Sequence, residues 1–176
     1  MDKTRLPNSI FFLLVVLGFV QCTYYAPRIP NILGSHFGLS GVANGWQTKM
    51  VFFSMELTMI VLATLISFVP PRVIAAMPVS LINLPNKQFW LSPERREDTI
   101  SYFRAWSAWF GCALLAFLLF VMELVFRANL QTPPRFSNTA FIPALVVFVV
   151  FDTVLMLRLI LHFSRMPERD GSAGEG

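Results

Sequence analysis

The sequence predicts an all-α integral membrane protein built as a bundle of four membrane-spanning helices. Apolar residues make up 55% of the 176 residues and charged residues only 14%, whereas soluble domains carry about 25% charge. The mean hydropathy is +0.60. The apolar residues gather in four stretches separated by segments rich in proline, glycine and charge. Each stretch approaches or exceeds the roughly 17–25 residues that a helix needs to cross a bilayer.

The first predicted span covers residues 7–26. Lys3 and Arg5 precede the apolar run Ile10 to Val20, a pattern that also begins a signal peptide. Residues 21–26 contain no pair of small residues at the spacing of a cleavage site. We therefore expect an uncleaved span.

The segment 27–49 is the most turn-rich part of the chain. Pro27 and Pro30 stop the first helix, and four glycines and the pair Asn44-Gly45 follow. These residue types favour turns. We expect a structured loop that contains a short helix or two tight turns.

The second and third spans are predicted at 50–69 and 103–126, with Pro70-Pro71 ending the second. Ser92-Pro93-Glu94 is typical of a helix start, and no stop signal appears before Arg127. A helix over 93–127 rises about 1.5 Å per residue and is too long for a ~30 Å hydrocarbon core. Its first turns are therefore expected to project into water.

The fourth span is predicted at 140–163, after the break at Pro133-Pro134. Residues 1–166 then form one membrane domain, and the polar, glycine-containing tail 167–176 is predicted to be disordered.

The distribution of Lys and Arg predicts the orientation. Nine lie in the N-terminus, the middle connection and the tail, and four lie on the other side of the predicted spans. Positive residues accumulate on the cytoplasmic side, so both termini and the projecting third helix are expected there, in an inner (plasma) membrane. Basic residues at segment ends, not along one face, argue against a nucleic-acid partner.

Three acids and a nearby loop form the predicted binding site. A charged side chain within a span costs roughly 2.5–3.5 kcal/mol on insertion scales and is a functional candidate. We expect the acids to line an outward-opening pocket beneath the loop. The predicted ligand-binding residues are His36, Trp46, Lys49, Glu56, Glu123 and Asp152. As an alternative, Glu123 and Arg127 have the i, i+4 spacing of a simple ion pair, whereas no cation near Asp152 in the sequence shares its depth in the membrane.

The sequence contains no catalytic or metal-binding motif. His36 stands alone, and Cys22 and Cys112 lack metal or redox spacing, so both cysteines are expected to serve packing. We therefore expect no enzymatic activity, no cofactor and no metal.

A second candidate surface lies in the middle connection. Trp90, Arg95 and Arg96 are predicted to form a cytoplasmic docking face for another membrane protein. Alternatives are a solvated helix face and contact with anionic lipid headgroups.

The loop also resembles a known family. Pro27-x-x-Pro30, His36-Phe37, Gly41, Gly45-Trp46 and Lys49 resemble the N-terminal domain of SdpI-type immunity proteins, which protect cells from a secreted killing factor. The stretch Leu84 to Arg96 is similar to a pattern in short four-span members. The resemblance implies a bacterial inner-membrane protein.

These observations favour a membrane protein that recognises an extracytoplasmic ligand, such as a toxin-like peptide or an envelope component. The alternatives are a small proton- or ion-coupled transporter that uses Asp152, and a structural subunit of a larger membrane complex.

Overall fold

The computed structural model describes residues 3–165 and contains four long helices and a β-hairpin. The elements are α1 (Arg5–Tyr25), β1 (Ile32–Phe37), β2 (Ala43–Thr48), α2 (Lys49–Ala76), a 3₁₀ turn (Val79–Leu81), α3 (Lys87–Trp90), α4 (Arg96–Asn129) and α5 (Asn138–Ser164). Among the described residues, α1, α2, α4 and α5 are long and apolar enough to cross a membrane. The predicted set of four long apolar helices is confirmed, and the predicted tail 167–176 lies outside the described residues.

Helix α4 is the centre of the bundle. Helices α1, α2 and α5 all pack against it, and 44% of its most apolar 18 residues are buried, against none for α5. Its 34 residues give a length of about 51 Å, well beyond a ~30 Å hydrocarbon core. The long third span expected from the sequence is therefore present as a helix.

Two apolar clusters form the core. The first, which we call the hairpin-end cluster, surrounds Phe126. Phe126 is fully buried and stacks on Tyr25 with ring centroids 4.5 Å apart. The buried members of this cluster are Tyr25, Ile29, Leu33, Phe52, Met122, Val125 and Phe126. The central cluster comprises Phe11, Ile60, Ala63, Cys112, Leu115 and Leu119. The hairpin thus shares a core with the ends of three helices, and we call this end of the bundle the hairpin end.

The segment predicted as a structured loop with a short helix or two tight turns is an antiparallel β-hairpin, so the chain is mostly helical and not all-α. β1 and β2 pair from Ile32–Thr48 to Phe37–Ala43, with irregular register around His36. The strand pattern is obscured in the sequence because Gly34 and Gly45 interrupt the apolar alternation. Gly34 is needed for close pairing, since a Cβ there would lie 2.8 Å from the Ala43 Cβ.

The hairpin is fixed to the bundle at its base and at its tip. Asn129, at the end of α4, accepts from the Gly34 N–H at 2.7 Å and donates to the Gly34 carbonyl at 2.9 Å. At the tip, the Phe136 N–H donates to the Gly41 carbonyl at 2.8 Å. Asn138 also donates to the Leu39 carbonyl at 2.7 Å. The hairpin is therefore held by α4, by the connection after it and by the first residue of α5.

Helix α2 continues through Pro70 and Pro71 to Ala76, so the prediction that these prolines end the helix is wrong. Pro71 has no N–H to bond the Ser67 carbonyl. The hydroxyl of Ser107 on α4 donates to that carbonyl instead, at 2.7 Å. A neighbouring helix that satisfies the freed group allows proline inside a membrane helix.

The helix start predicted at Ser92-Pro93-Glu94 is a turn, and α4 itself begins at Arg96. The N–H groups of Arg95 and Arg96 both donate to the Ser92 carbonyl, at 3.0 and 2.9 Å. A hydrogen bond from its own backbone N–H, followed by one from the Ser92 hydroxyl, lowers the pKa of Glu94. The helix start predicted at Pro93 therefore lies three residues before the first residue of the regular helix.

Candidate functional site

Glu123 is the centre of a polar cluster between α1 and α4. Its carboxylate accepts from Gln21 at 2.9 Å and from the Tyr25 hydroxyl at 2.8 Å. Arg127, one turn along α4, donates its Nε–H to the same carboxylate at 2.6 Å. The i, i+4 ion pair considered from the sequence is present, but two groups of α1 complete it. The cluster therefore links the hairpin ends of two helices.

Glu123 and Arg127 also line an open groove of about 740 Å³ between α1 and α4. Toward the middle of the bundle its walls are apolar, with Leu14, Ala116 and Phe120 among them. Glu56 and Asp152 do not line this groove. The groove therefore has a charged end near the hairpin and an apolar end near the centre of the bundle.

Glu56 is buried between the two apolar clusters, with 1% of its surface exposed. It lies one turn after Phe52 and one turn before Ile60 on the buried stripe of α2. The thiol of Cys22 on α1 interacts with it electrostatically. Within residues 3–165, neither carboxylate oxygen accepts a well-formed hydrogen bond. This acid is therefore desolvated inside the helix packing.

Asp152 lies on the seam between α5 and α4, not beside the other two acids. One turn before it, Phe148 stacks on Phe117 of α4 at 4.6 Å. Three residues after it, the Leu155 carbonyl accepts from the indole of Trp106 at 2.9 Å. The Oδ1 atom of Asp152 is buried and has no hydrogen-bond partner among the described residues. Asp152 thus faces the neighbouring helix.

The hairpin residues differ in what they contact. Lys49 donates its ammonium to the Ala26 carbonyl at 2.8 Å, at the end of α1. His36 is exposed and its Nδ1 lies 3.3 Å from the Ser35 hydroxyl, while Trp46 is 54% exposed. Lys49 therefore ties the hairpin to α1, and His36 and Trp46 face outward from the bundle.

Two of the three predicted docking residues donate side-chain hydrogen bonds within the chain. Trp90 donates to the Phe163 carbonyl of α5 at 3.0 Å. Arg96 donates to the carbonyls of Ala75 and Met77 at the end of α2, at 3.1 and 2.8 Å. Arg95 is exposed, with its guanidinium 4.0 Å from the centre of the Phe89 ring. At this end the chain connects its own helices.

Sequence reasoning missed Asn129, Gln21 and Tyr25. One feature of the sequence could have indicated these residues: each places a polar side chain near the end of an apolar helix. Their partners lie about a hundred residues away in the chain, so no local pattern pairs them. Within residues 3–165, no group of three or more His, Cys, Asp and Glu side chains is placed to hold a metal.

The four long apolar helices define a multi-pass membrane protein. A family model described as a domain of unknown function (DUF1648) matches residues 13–60. The matched stretch runs from α1 through the hairpin into α2 and covers about a quarter of the chain. No curated protein and no solved structure matches the sequence.

Proposed function

We propose that this protein recognises an extracytoplasmic ligand at its hairpin end and has no enzymatic activity. The ligand is a toxin-like peptide or an envelope component. In this proposal the chain lies in a bacterial inner membrane with both termini in the cytoplasm, needs no cofactor and binds no nucleic acid. The excess of Lys and Arg at the other end supports that orientation.

The observation that carries the proposal is a fixed hairpin with an exposed aromatic and imidazole surface. Hydrogen bonds between Asn129 and Gly34 and between Phe136 and Gly41 hold the hairpin in place. The side chain of Trp46 is more than half exposed. A rigid exposed aromatic side chain loses little conformational freedom on binding, and such residues dominate binding energy. The matched family region contains the whole hairpin, which links this surface to what the family shares.

Photo-crosslinking in intact cells tests the proposal. A benzoylphenylalanine introduced at Trp46 is expected to form one discrete adduct, whereas the same group at Val150, on the exposed face of α5, forms none of that mass. Adding Asn129→Ala releases the hairpin and should abolish the adduct. Identical products at both positions, or an adduct unaffected by Asn129→Ala, would contradict recognition by the docked hairpin.

The immunity function implied by the family resemblance is a narrower version of this proposal. Cells that express the chain would survive a secreted killing peptide better than cells carrying the His36→Ala or Trp46→Ala variant at equal protein level. Equal survival of all three strains would count against immunity while leaving other extracytoplasmic ligands open to the crosslinking test.

A second candidate function, a proton- or ion-coupled transporter, is favoured by Asp152. Its buried Oδ1 has no partner among the described residues, and ionisable groups inside a bilayer are functional candidates. Proteoliposomes with an internal pH dye should show flux that Asp152→Asn removes and the neighbouring exposed Thr153→Val retains. No flux above protein-free vesicles at any pH would exclude this function.

A role as a subunit of a membrane complex draws its support from α5. Apart from the seam on α4, its side chains are largely exposed, and a partner helix would cover them. Copurification in mild detergent, with Val146→Trp to disturb the exposed face, tests this role. Loss of a stoichiometric partner in the variant would support it, and purification of the wild type alone would oppose it.

A further inference from the structure

A polar pocket lies at the end of the bundle opposite the hairpin, where α1, α2 and α4 meet. It has a volume of about 210 Å³. Two arginines from different helices line it, Arg72 from α2 and Arg104 from α4, together with the polar side chains of Thr4, Asn8 and Ser67. Among residues 3–165, no carboxylate lines the pocket, so the lining that the structure describes is positively charged.

The floor of this pocket is firmly built. Ser67, which lies on it, is 1% exposed, and its carbonyl accepts from Ser107 of α4 at 2.7 Å. A Cβ on Gly111 would collide with the Ser67 hydroxyl, so α2 and α4 approach closely here. The Cys112 thiol donates to the Pro7 carbonyl at 3.1 Å and joins α1 to α4. The three helices that line the pocket are therefore held together by packing and hydrogen bonds that need no ligand.

Both guanidinium groups have N–H donors that no described residue accepts from. Arg72 donates one N–H to the Phe68 carbonyl at 2.6 Å, and a guanidinium has five N–H donors. Within residues 3–165, no hydrogen bond or ion pair engages the side chain of Arg104. Two guanidinium groups without a carboxylate partner match the oxygens of a phosphate, which arginine binds in a bidentate manner.

We propose that Arg72 and Arg104 form a binding site for a phosphate group. A phospholipid headgroup or a free phosphate can supply this group, since the pocket lies near the end of three membrane-length helices. Basic pockets between membrane helices bind anionic headgroups. This site is independent of the hairpin surface and would serve to anchor the bundle or to regulate it.

Thermal unfolding of the purified full chain in a neutral detergent tests the site. The probes are dihexanoyl phosphatidic acid, inorganic phosphate, and sodium chloride at matched ionic strength. We expect phosphatidic acid to raise the unfolding temperature in a saturable manner. Arg104→Gln and Arg72→Gln should each weaken apparent affinity about fivefold, which corresponds to about 1 kcal/mol per charge. Arg165→Gln changes an exposed arginine directly after α5, at the same end of the bundle and outside the pocket lining; it is the matched control and should bind like the wild type.

The probes separate the possible sources of the phosphate. Stabilisation by inorganic phosphate that Arg104→Gln weakens assigns a free phosphate, and stabilisation by the lipid alone assigns a headgroup. An equal shift with sodium chloride, or equal binding by Arg104→Gln and Arg165→Gln, overturns the proposal. Arg72→Gln also removes a hydrogen bond to Phe68 and could unfold the protein. In that case Asn8→Phe, which fills the pocket from an exposed position, takes its place. Undiminished binding in Asn8→Phe also overturns the proposal.

Discussion

At the scale of single residues, Asn129 shows how one buried amide decides a local fold. Its side chain makes three hydrogen bonds, two with Gly34 of the hairpin and one with the Val125 carbonyl one turn back at 2.9 Å. In the sequence it is an ordinary residue at the end of a helix. Its importance comes from being 5% exposed, because a buried backbone N–H or carbonyl without a partner is costly.

Asn129→Ala should therefore destabilise the protein strongly. The change leaves the buried N–H and carbonyl of Gly34 without partners, and we expect a loss of about 2–4 kcal/mol in the free energy of unfolding. Unfolding in detergent with increasing denaturant measures this loss. Asn138→Ala removes a single exposed bond to Leu39 and should cost about 0.5–1.5 kcal/mol. Equal losses in the two variants would show that Asn129 does not hold the hairpin.

Glu56 leads to the opposite expectation. Its carboxylate is buried between two apolar clusters beside the weakly polar Cys22 thiol and, among the described residues, accepts no well-formed hydrogen bond, so an apolar side chain of similar length should fit at lower cost. Glu56→Met is expected to raise the free energy of unfolding by about 1–2 kcal/mol. Leu57→Met, on the exposed face of the same helix, should change it by less than about 0.5 kcal/mol. A destabilised Glu56→Met variant would mean that the acid has a structural partner.

At the scale of elements, the hairpin and α2 both depart from local sequence signals. Residues 32–48 contain four turn-forming glycines and Asn44, yet they form two strands because Leu33 packs into the hairpin-end cluster. Pro70 and Pro71 are strong helix breakers, yet α2 continues past them because Ser107 satisfies the Ser67 carbonyl. In both places a tertiary contact outweighs a local preference.

The tip of the hairpin gives a direct test of its docking. Gly41 has a φ of +76°, and a Cβ there would lie 2.5 Å from the Phe136 carbonyl oxygen. Gly41→Ala is therefore both strained and sterically blocked, and we expect a cost of about 1–3 kcal/mol. Amide exchange of residues 32–48 should become faster. Gly38→Ala is the control, since its nearest neighbour would lie at 3.6 Å, and comparable exchange in both variants would argue against docking through the tip.

At the scale of the whole molecule, α4 holds the other three long helices, and the two ends of the bundle differ in character. The hairpin end has a folded cap and the Glu123 cluster. The opposite end has the connection between α2 and α4, tied to α5 by Trp90 and to α2 by Arg96. Most of the basic residues outside the spans lie toward this second end, which is the basis for the proposed orientation.

Cysteine labelling in intact cells tests the orientation. Ser40→Cys lies in the hairpin turn and Ser80→Cys lies in the exposed 3₁₀ turn at the opposite end. In a background with Cys22→Ala and Cys112→Ser, a membrane-impermeant maleimide should label position 40 from outside and position 80 only after lysis. The reverse pattern would place the hairpin in the cytoplasm and remove the basis for an extracytoplasmic ligand.

The sequence by itself determined the class of this protein and the approximate position of its four long helices. Apolar stretches of membrane length are a local property, and hydrogen bonding within each helix needs no distant partner. Only the tertiary structure decided that residues 32–48 form a hairpin, that Glu123 is bonded to two groups of α1 as well as to Arg127, and that Arg72 and Arg104 share a pocket. Those facts depend on contacts between residues about 30 to 100 positions apart, and such contacts form only when packed helices bring distant side chains together.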